Sequence, residues 1–231
     1  MKIKAILFDF GGTLDSDGID WFTRIYKIVT RLSGPIDKDE FQKLIRQAAD
    51  EITQMEDSST LPLEGMASRI CRHTHTIMSQ TDHQIISWNP KEVVQEFLAE
   101  TIPVLKRNLP CLEKLHKKFR LGCISNNWGN TAGWCQEFQF DRYFETMIDS
   151  TVVGYSKPDQ HIFQAALNEL QLPPEACVYV GDYYTSDIQG AAAAGLTPVW
   201  ITNGVTPLPP DVPVNLLRIK QLPDLLNMTW N

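Results

Sequence analysis

Ile6-Leu7-Phe8-Asp9-Phe10-Gly11-Gly12-Thr13-Leu14 joins an apolar run to an abrupt polar stop. Residues 3–8 are short, aliphatic and β-branched, which predicts a buried strand. Asp9 falls where that strand ends, and the two glycines let the chain turn sharply behind it. A carboxylate presented on such a turn can serve as a nucleophile or metal ligand facing a phosphate. Taken alone, an aspartate before two glycines is equally the wording of a plain turn.

Working outward, 121–125 (Leu-Gly-Cys-Ile-Ser), 177–180 (Cys-Val-Tyr-Val) and 198–201 (Pro-Val-Trp-Ile) predict further strands, and a run near 146–150 predicts another. Helical patterns alternate with them. One covers Cys111–Lys118; one opens at Pro158 and carries Ile162, Phe163, Ala166 and Leu167; one holds Ser186, Ile188, Ala191 and Ala192 and stops at Gly195. Strands alternating with helices imply a mostly parallel, Rossmann-like α/β sheet covered on both faces. Ligands in such sheets bind beyond the carboxyl ends of the strands, where Asp9, Ser125 and Asp182 all fall.

Three more segments carry chemistry. Ile124-Ser125-Asn126-Asn127 offers a hydroxyl and backbone N–H groups to an anion, or is a turn. Gly154-Tyr155-Ser156-Lys157-Pro158-Asp159 places an ammonium before a helix start, near the end of the dipole that favours anions; the alternative is an exposed lysine. Val180-Gly181-Asp182-Tyr183-Tyr184-Thr185-Ser186-Asp187 sets two carboxylates on one loop, hard oxygen ligands of the kind Mg²⁺ takes. Asp187 has the competing role of capping or buttressing the following helix.

Residues 16–105 break the alternation and predict an all-helical insert, so that 1–15 with 106–231 form the α/β core. Trp21, Phe22, Ile25, Ile28, Val29 and Leu32 recur at helical spacing. Asp37 with Glu40 reads as a capping box, and Asn89-Pro90 with Glu92 as another helix start. Residues 56–64 read as a loop. Trp21, Tyr26 and Trp88 are expected in the core of the insert, and His73 and His75 on its surface.

The 231 residues include 43% hydrophobic and 21% charged types, a composition of soluble globular proteins. A chain of this length buries enough surface to fold without disulfide or metal. Its net charge of −7, without a basic stripe, argues against a nucleic-acid partner. The apolar run ending at Asp9 is too short for a signal core or a membrane span. Five scattered cysteines without Cys-x-x-Cys spacing suit a reducing, cytoplasmic setting.

Asp9, Ser125, Lys157 and Asp182, in this order at successive strand ends and with a helical insert after the first, resemble the haloacid dehalogenase superfamily. The wording of Gly154–Phe163 and Val180–Leu196 is similar to that family's, and the insert's position resembles the subgroup with a cap domain after the first motif. The resemblance implies that Asp9 attacks phosphorus to form an aspartyl-phosphate. It implies that Mg²⁺ is held by Asp9, the backbone carbonyl of Gly11 and Asp182, with Asp187 ordering the shell. Ser125, the Asn126 backbone and Lys157 are then expected to bind the transferring phosphoryl oxygens of a small phosphorylated metabolite, and Thr13 to pin the loop.

One position departs from the family's phosphatases: Gly11 stands where they carry the aspartate that protonates the leaving oxygen and later activates water. General acid–base catalysis is worth ~10²–10⁴-fold, so slow hydrolysis of unactivated esters is expected. Asp15 and Asp17 are near enough in sequence to substitute, although a hinge or N-cap role is favoured for both. His161 is expected to lie out along its helix. The alternatives are a non-catalytic phosphate or metabolite binder on the same scaffold, a 2-haloacid dehalogenase, and a phosphonate hydrolase using a cap lysine.

Overall fold

The computed structural model describes residues 2–55, 57–80, 87–202, 209, 212 and 216–230. Six strands form one sheet: β1 Ala5–Phe8, β2 Arg120–Ser125, β3 Phe144–Asp149, β4 Cys177–Gly181, β5 Thr197–Ile201 and β6 Leu217–Ile219. Their order is β3-β2-β1-β4-β5-β6, and every neighbouring pair is parallel. The Rossmann-like α/β sheet expected from the sequence is therefore present. β6 is a strand the sequence pattern did not announce; it is three residues long and two of them are exposed.

The chain divides into two compact units, Met1–Asp20 with Pro103–Asn231, and Trp21–Ile102. The second is built from α1 Trp21–Ser33, α2 Lys38–Thr53, α3 Leu63–Gln80 and the first part of α4 Pro90–His116. Asp37 caps α2 by accepting the Glu40 N–H at 2.8 Å, and Ile25, Ile28, Phe41, Ile45, Ile70 and Phe97 fill the core. Trp21 and Trp88 are buried there as expected. The guanidinium of buried Arg24 lies 4.5 Å from the Phe97 ring centroid and donates to Thr101 Oγ1 at 2.8 Å.

Two sequence expectations change. The helix starting near Asn89 and that over 111–118 are one helix, α4, which runs on through Pro103 and Pro110. Each proline costs roughly 3 kcal/mol in a helix interior, but Val93, Phe97, Leu105, Leu112 and Leu115 are buried along it, and tertiary packing overrides local propensity. The loop expected over 56–64 contains a tight turn at Ser58–Thr60 and ends at Leu63, where α3 begins; Glu56 lies outside the described residues.

In the sheet unit, α5 Thr131–Glu137, α6 Ser150–Val153, α7 Gln160–Leu170 and α8 Gly190–Ala193 connect the strands. α7 lays Ile162, Phe163, Ala166, Leu167 and Leu170 on Leu7, Ile124, Ile148 and Tyr179 of the sheet. α7 begins two residues beyond Pro158, and its cap is Asp159, which accepts the His161 N–H at 2.9 Å. Among the described residues no helix is long and apolar enough to cross a membrane.

Candidate active site

β1 is central, and the connections leaving β1 and β4 run to opposite sides of it, which makes their shared carboxyl end a topological switch point. Register carries three loops to that spot. Phe8 pairs with Cys123 on one side and Val180 on the other. Asp9 is one residue beyond this line; Ser125 and Asp182 are two beyond it on the flanking strands. The ladder extends a step past β1, because Asp9 N–H donates to Val180 O at 2.9 Å.

At that end Lys157 Nζ lies 2.7 Å from Asp9 Oδ1 and 2.8 Å from Asp187 Oδ1. It also donates to Tyr179 Oη at 2.8 Å. Lys157 precedes the start of α7, and its side chain is not the exposed lysine of the alternative reading but the buried centre of a charge cluster. Asp182 completes it: Asp9, Asp182 and Asp187 each offer a carboxylate oxygen, all within 4.8 Å of one another. Asp187 also fills the buttressing role, since its Oδ2 accepts the Tyr183 N–H at 2.8 Å.

The electrostatics follow from crowding like charges in a dry place. Burial, with Asp187 adding, pushes the Asp9 carboxyl up from an ordinary 3.8 to about 6, against the pull of Lys157. Burial and the charges of Asp187, Asp9 and Asp20 hold Asp182 well above the carboxylate range. Burial alone would lower the Lys157 ammonium, but Asp187 and Asp9 outweigh it and raise it. Three carboxylates against one ammonium leave a negative excess, and a hard divalent cation is the charge that excess accommodates.

The backbone is shaped to admit these groups. Gly12 has φ +88°, and a Cβ there would lie 2.2 Å from Asp182 Oδ2. A Cβ on Gly181 would lie 2.3 Å from the Cβ of Asp187. Gly11 is different: its φ of −74° and ψ of 122° suit any residue, so the backbone does not explain the glycine. Thr13 is fully buried, and its hydroxyl points at Asp182 Oδ1 from 3.4 Å.

Both carboxylates expected as candidate acids are engaged by other groups. Asp15 is buried, and its Oδ1 accepts the Gly12 N–H at 2.6 Å. Asp17 is held by both terminal nitrogens of Arg107, at 2.6 and 2.8 Å. His161 stacks on Tyr155 and pairs with Asp159 on the exposed side of α7. In the helical unit, His73 pairs with Glu51 and His75 packs edge-on against Trp88.

Four further groups position the site: Asn126 was expected to contribute its backbone alone, and Asp149, Trp200 and Tyr179 escaped the sequence reading. Asn126 uses its side chain on the Lys157 loop: Oδ1 accepts Lys157 N–H at 2.8 Å and Nδ2 donates to Lys157 O at 3.0 Å. Asp149 ties down the loop that follows Ser125, accepting from Gly129 N, Thr131 N and Thr131 Oγ1. Trp200 Nε1 donates to the Asp182 carbonyl at 2.8 Å. Tyr179 reaches Lys157 from within β4. The polar tips of Tyr179 and Trp200 in buried strands were the available signal, because a buried Tyr O–H or Trp N–H needs a partner.

An α/β fold presenting a buried carboxylate, an ammonium and an acidic metal-type pair at a switch point defines a class of hydrolase. A family model described as haloacid dehalogenase-like hydrolase matches residues 3–195, a span containing every residue of this cluster, and the chain belongs to that family. It is 25% identical over 214 residues, 88% of each chain, to a glyceraldehyde 3-phosphate phosphatase of Methanothermobacter thermautotrophicus. Among solved structures it resembles the HAD-hydrolase YfnB of Bacillus subtilis, described as bound to magnesium (TM-score 0.62, 19% identity, 98% of each chain). It also resembles the L-2-haloacid dehalogenase RSc1362 (TM-score 0.64, 18% identity, 98% of each chain). At those identities the two structures speak for the fold alone.

Proposed function

We propose that the protein is a Mg²⁺-dependent phosphatase of small phosphorylated metabolites, working through an aspartyl-phosphate on Asp9, with the helical unit serving as a cap. The observation that carries this reading is Lys157 Nζ placed 2.7 Å from Asp9 and 2.8 Å from Asp187 beside the three-carboxylate cluster. The similarity to a glyceraldehyde 3-phosphate phosphatase of Methanothermobacter thermautotrophicus supports the substrate class. A dehalogenase needs no metal, and a cluster of three mutually destabilising carboxylates weighs against that alternative.

Asp9, the Gly11 carbonyl and Asp182 would hold Mg²⁺, with Asp187 ordering the shell. Bound there, the metal would supply positive charge to the phosphoryl oxygens as negative charge gathers on them. Asp9 attacks phosphorus as a carboxylate. Its bond to Lys157 lowers the carboxyl's elevated pKa and aims one oxygen. Ser125, buried at the end of β2, and the Asn126 backbone receive the phosphoryl oxygens.

Gly11 offers no proton to the leaving oxygen and no base to the second step. Esters with poor leaving groups are therefore slow, and acyl and aryl phosphates are the best substrates. The aspartyl-phosphate, once formed, waits for unassisted water and accumulates. The five cysteines are all free and buried thiols, which suits a cytoplasmic enzyme.

Gly11 also motivates a second reading, a non-catalytic phosphate binder. A panel of phosphorylated metabolites assayed with and without Mg²⁺, beside Asp9→Asn, separates the two. Metal-dependent release lost in the variant supports the phosphatase; saturable binding without release supports the binder.

A further inference from the structure

Lys157 carries three N–H donors, and each has a protein acceptor. Asp9 Oδ1 stands at 2.7 Å, Asp187 Oδ1 at 2.8 Å and Tyr179 Oη at 2.8 Å. An ammonium has no further hydrogen to give. The third acceptor is itself fixed from two sides. Tyr179 Oη stands 3.1 Å from the Ile124 carbonyl oxygen and 3.3 Å from Asp187 Oδ1. Its ring is fully buried and packs edge-on against Phe163 at 5.2 Å. The single phenol proton goes to the Ile124 carbonyl or to Asp187 Oδ1, and in either case the phenol oxygen presents lone pairs to Lys157.

We propose that Tyr179 is a positioning residue for the phosphoryl transfer described above: its hydroxyl takes the third N–H of Lys157 and thereby holds the ammonium on Asp9 and Asp187. This rests on the phosphatase reading for its catalytic meaning, not for its geometry. It changes the part Lys157 plays. With all three hydrogens committed, the ammonium acts on a phosphoryl group through its charge and through the aim of Asp9, while Ser125 and backbone N–H groups make the direct contacts. The arrangement also explains why a tyrosine stands in a strand that is otherwise small and aliphatic. A phenylalanine would fill the same space against Phe163 but leave one ammonium hydrogen without a partner, in a place where water does not replace it.

The test uses Tyr179→Phe in the full-length protein, labelled with ¹⁵N-lysine and kept metal-free with EDTA. In wild type the Lys157 ammonium, assigned by its loss in Lys157→Met, is expected as a resolved signal protected from solvent exchange. In Tyr179→Phe the signal is expected to shift and exchange at least several-fold faster. An unchanged signal overturns the proposal, whether or not the protein proves to be a phosphatase. The second measurement is Mg²⁺-dependent turnover of p-nitrophenyl phosphate. Positioning residues around reactive centres cost ~10–100-fold when removed, and the loss is expected in kcat with KM nearly constant. A rise in KM at unchanged kcat overturns it, since that pattern belongs to a direct phosphate contact. If Tyr179→Phe is poorly folded by thermal melting, Tyr179→His, which keeps a polar ring atom in the cavity, is expected to restore part of kcat. Failure of wild-type turnover with the ammonium result intact would sink the phosphatase reading and leave the role of Tyr179 standing.

Discussion

Asn126 grips the backbone of Lys157 from both sides, accepting its N–H at 2.8 Å and donating to its C=O at 3.0 Å. The loop after β2 and the loop that supplies the ammonium are thereby fixed to each other, although 31 residues separate the two positions. Asn126→Ala removes both bonds, at about 0.5–1.5 kcal/mol each. The expected result is a lower melting temperature together with reduced turnover. Asn126→Asp keeps the acceptor and is expected to be milder in the melt.

Gly12 and Asp182 make the tightest steric statement in the site. A Cβ on Gly12 would lie 2.2 Å from Asp182 Oδ2, at a φ of +88°. Gly12→Ala is expected to weaken Mg²⁺ binding by calorimetry and to destabilise the fold by about 1–3 kcal/mol, the usual cost of a strained φ. Wild-type affinity in this variant would mean that Asp182 does not face the metal.

Gly11→Asp probes the missing proton shuttle. The backbone there, at φ −74° and ψ 122°, accepts a side chain without strain. Turnover of an unactivated alkyl phosphate is expected to rise by up to about 10²-fold, and that of an acyl phosphate much less. Unchanged or lower turnover, with fold and metal binding intact, would mean that another group already serves as the acid and base.

The carboxylate cluster makes the metal-free protein sensitive to pH. The folded-state pKa of Asp9 is raised from 3.8 to about 6, and Asp182 is raised in the same direction. The folded state therefore binds more protons than the unfolded state between about 4 and 6, so stability is lost as pH rises through that window. A bound divalent cation reverses the loss. Thermal melts are expected to show a larger Mg²⁺-induced rise at pH 8 than at pH 5, where protons compete for the same oxygens.

The strands, their parallel run and the convergence of Asp9, Ser125 and Asp182 were legible because they rest on local grammar, while Lys157 and Asp187 were placed with them by the family resemblance. Apolar runs end in Asp or Ser, and the alternation of strand and helix dictates which ends coincide. What escaped was decided by contacts remote in sequence. α4 continues through Pro103 and Pro110 because buried leucines hold it. β6 has only Ile219 buried, too little pattern to see. Lys157 meets Tyr179 of β4 across 22 residues, and the commitment of Asp17 to Arg107 spans 90. No spacing rule reports such pairs.

Rapid-quench mass spectrometry after mixing with Mg²⁺ and acetyl phosphate asks whether Asp9 takes the phosphoryl group, as proposed. If Gly11 leaves the second step without a base, as the proposed mechanism requires, a phosphorylated peptide carrying Asp9 should build up within the first turnover and be absent in Asp9→Asn. Phosphate released at the wild-type rate by Asp9→Asn, with no label on Asp9 in either protein, would contradict it.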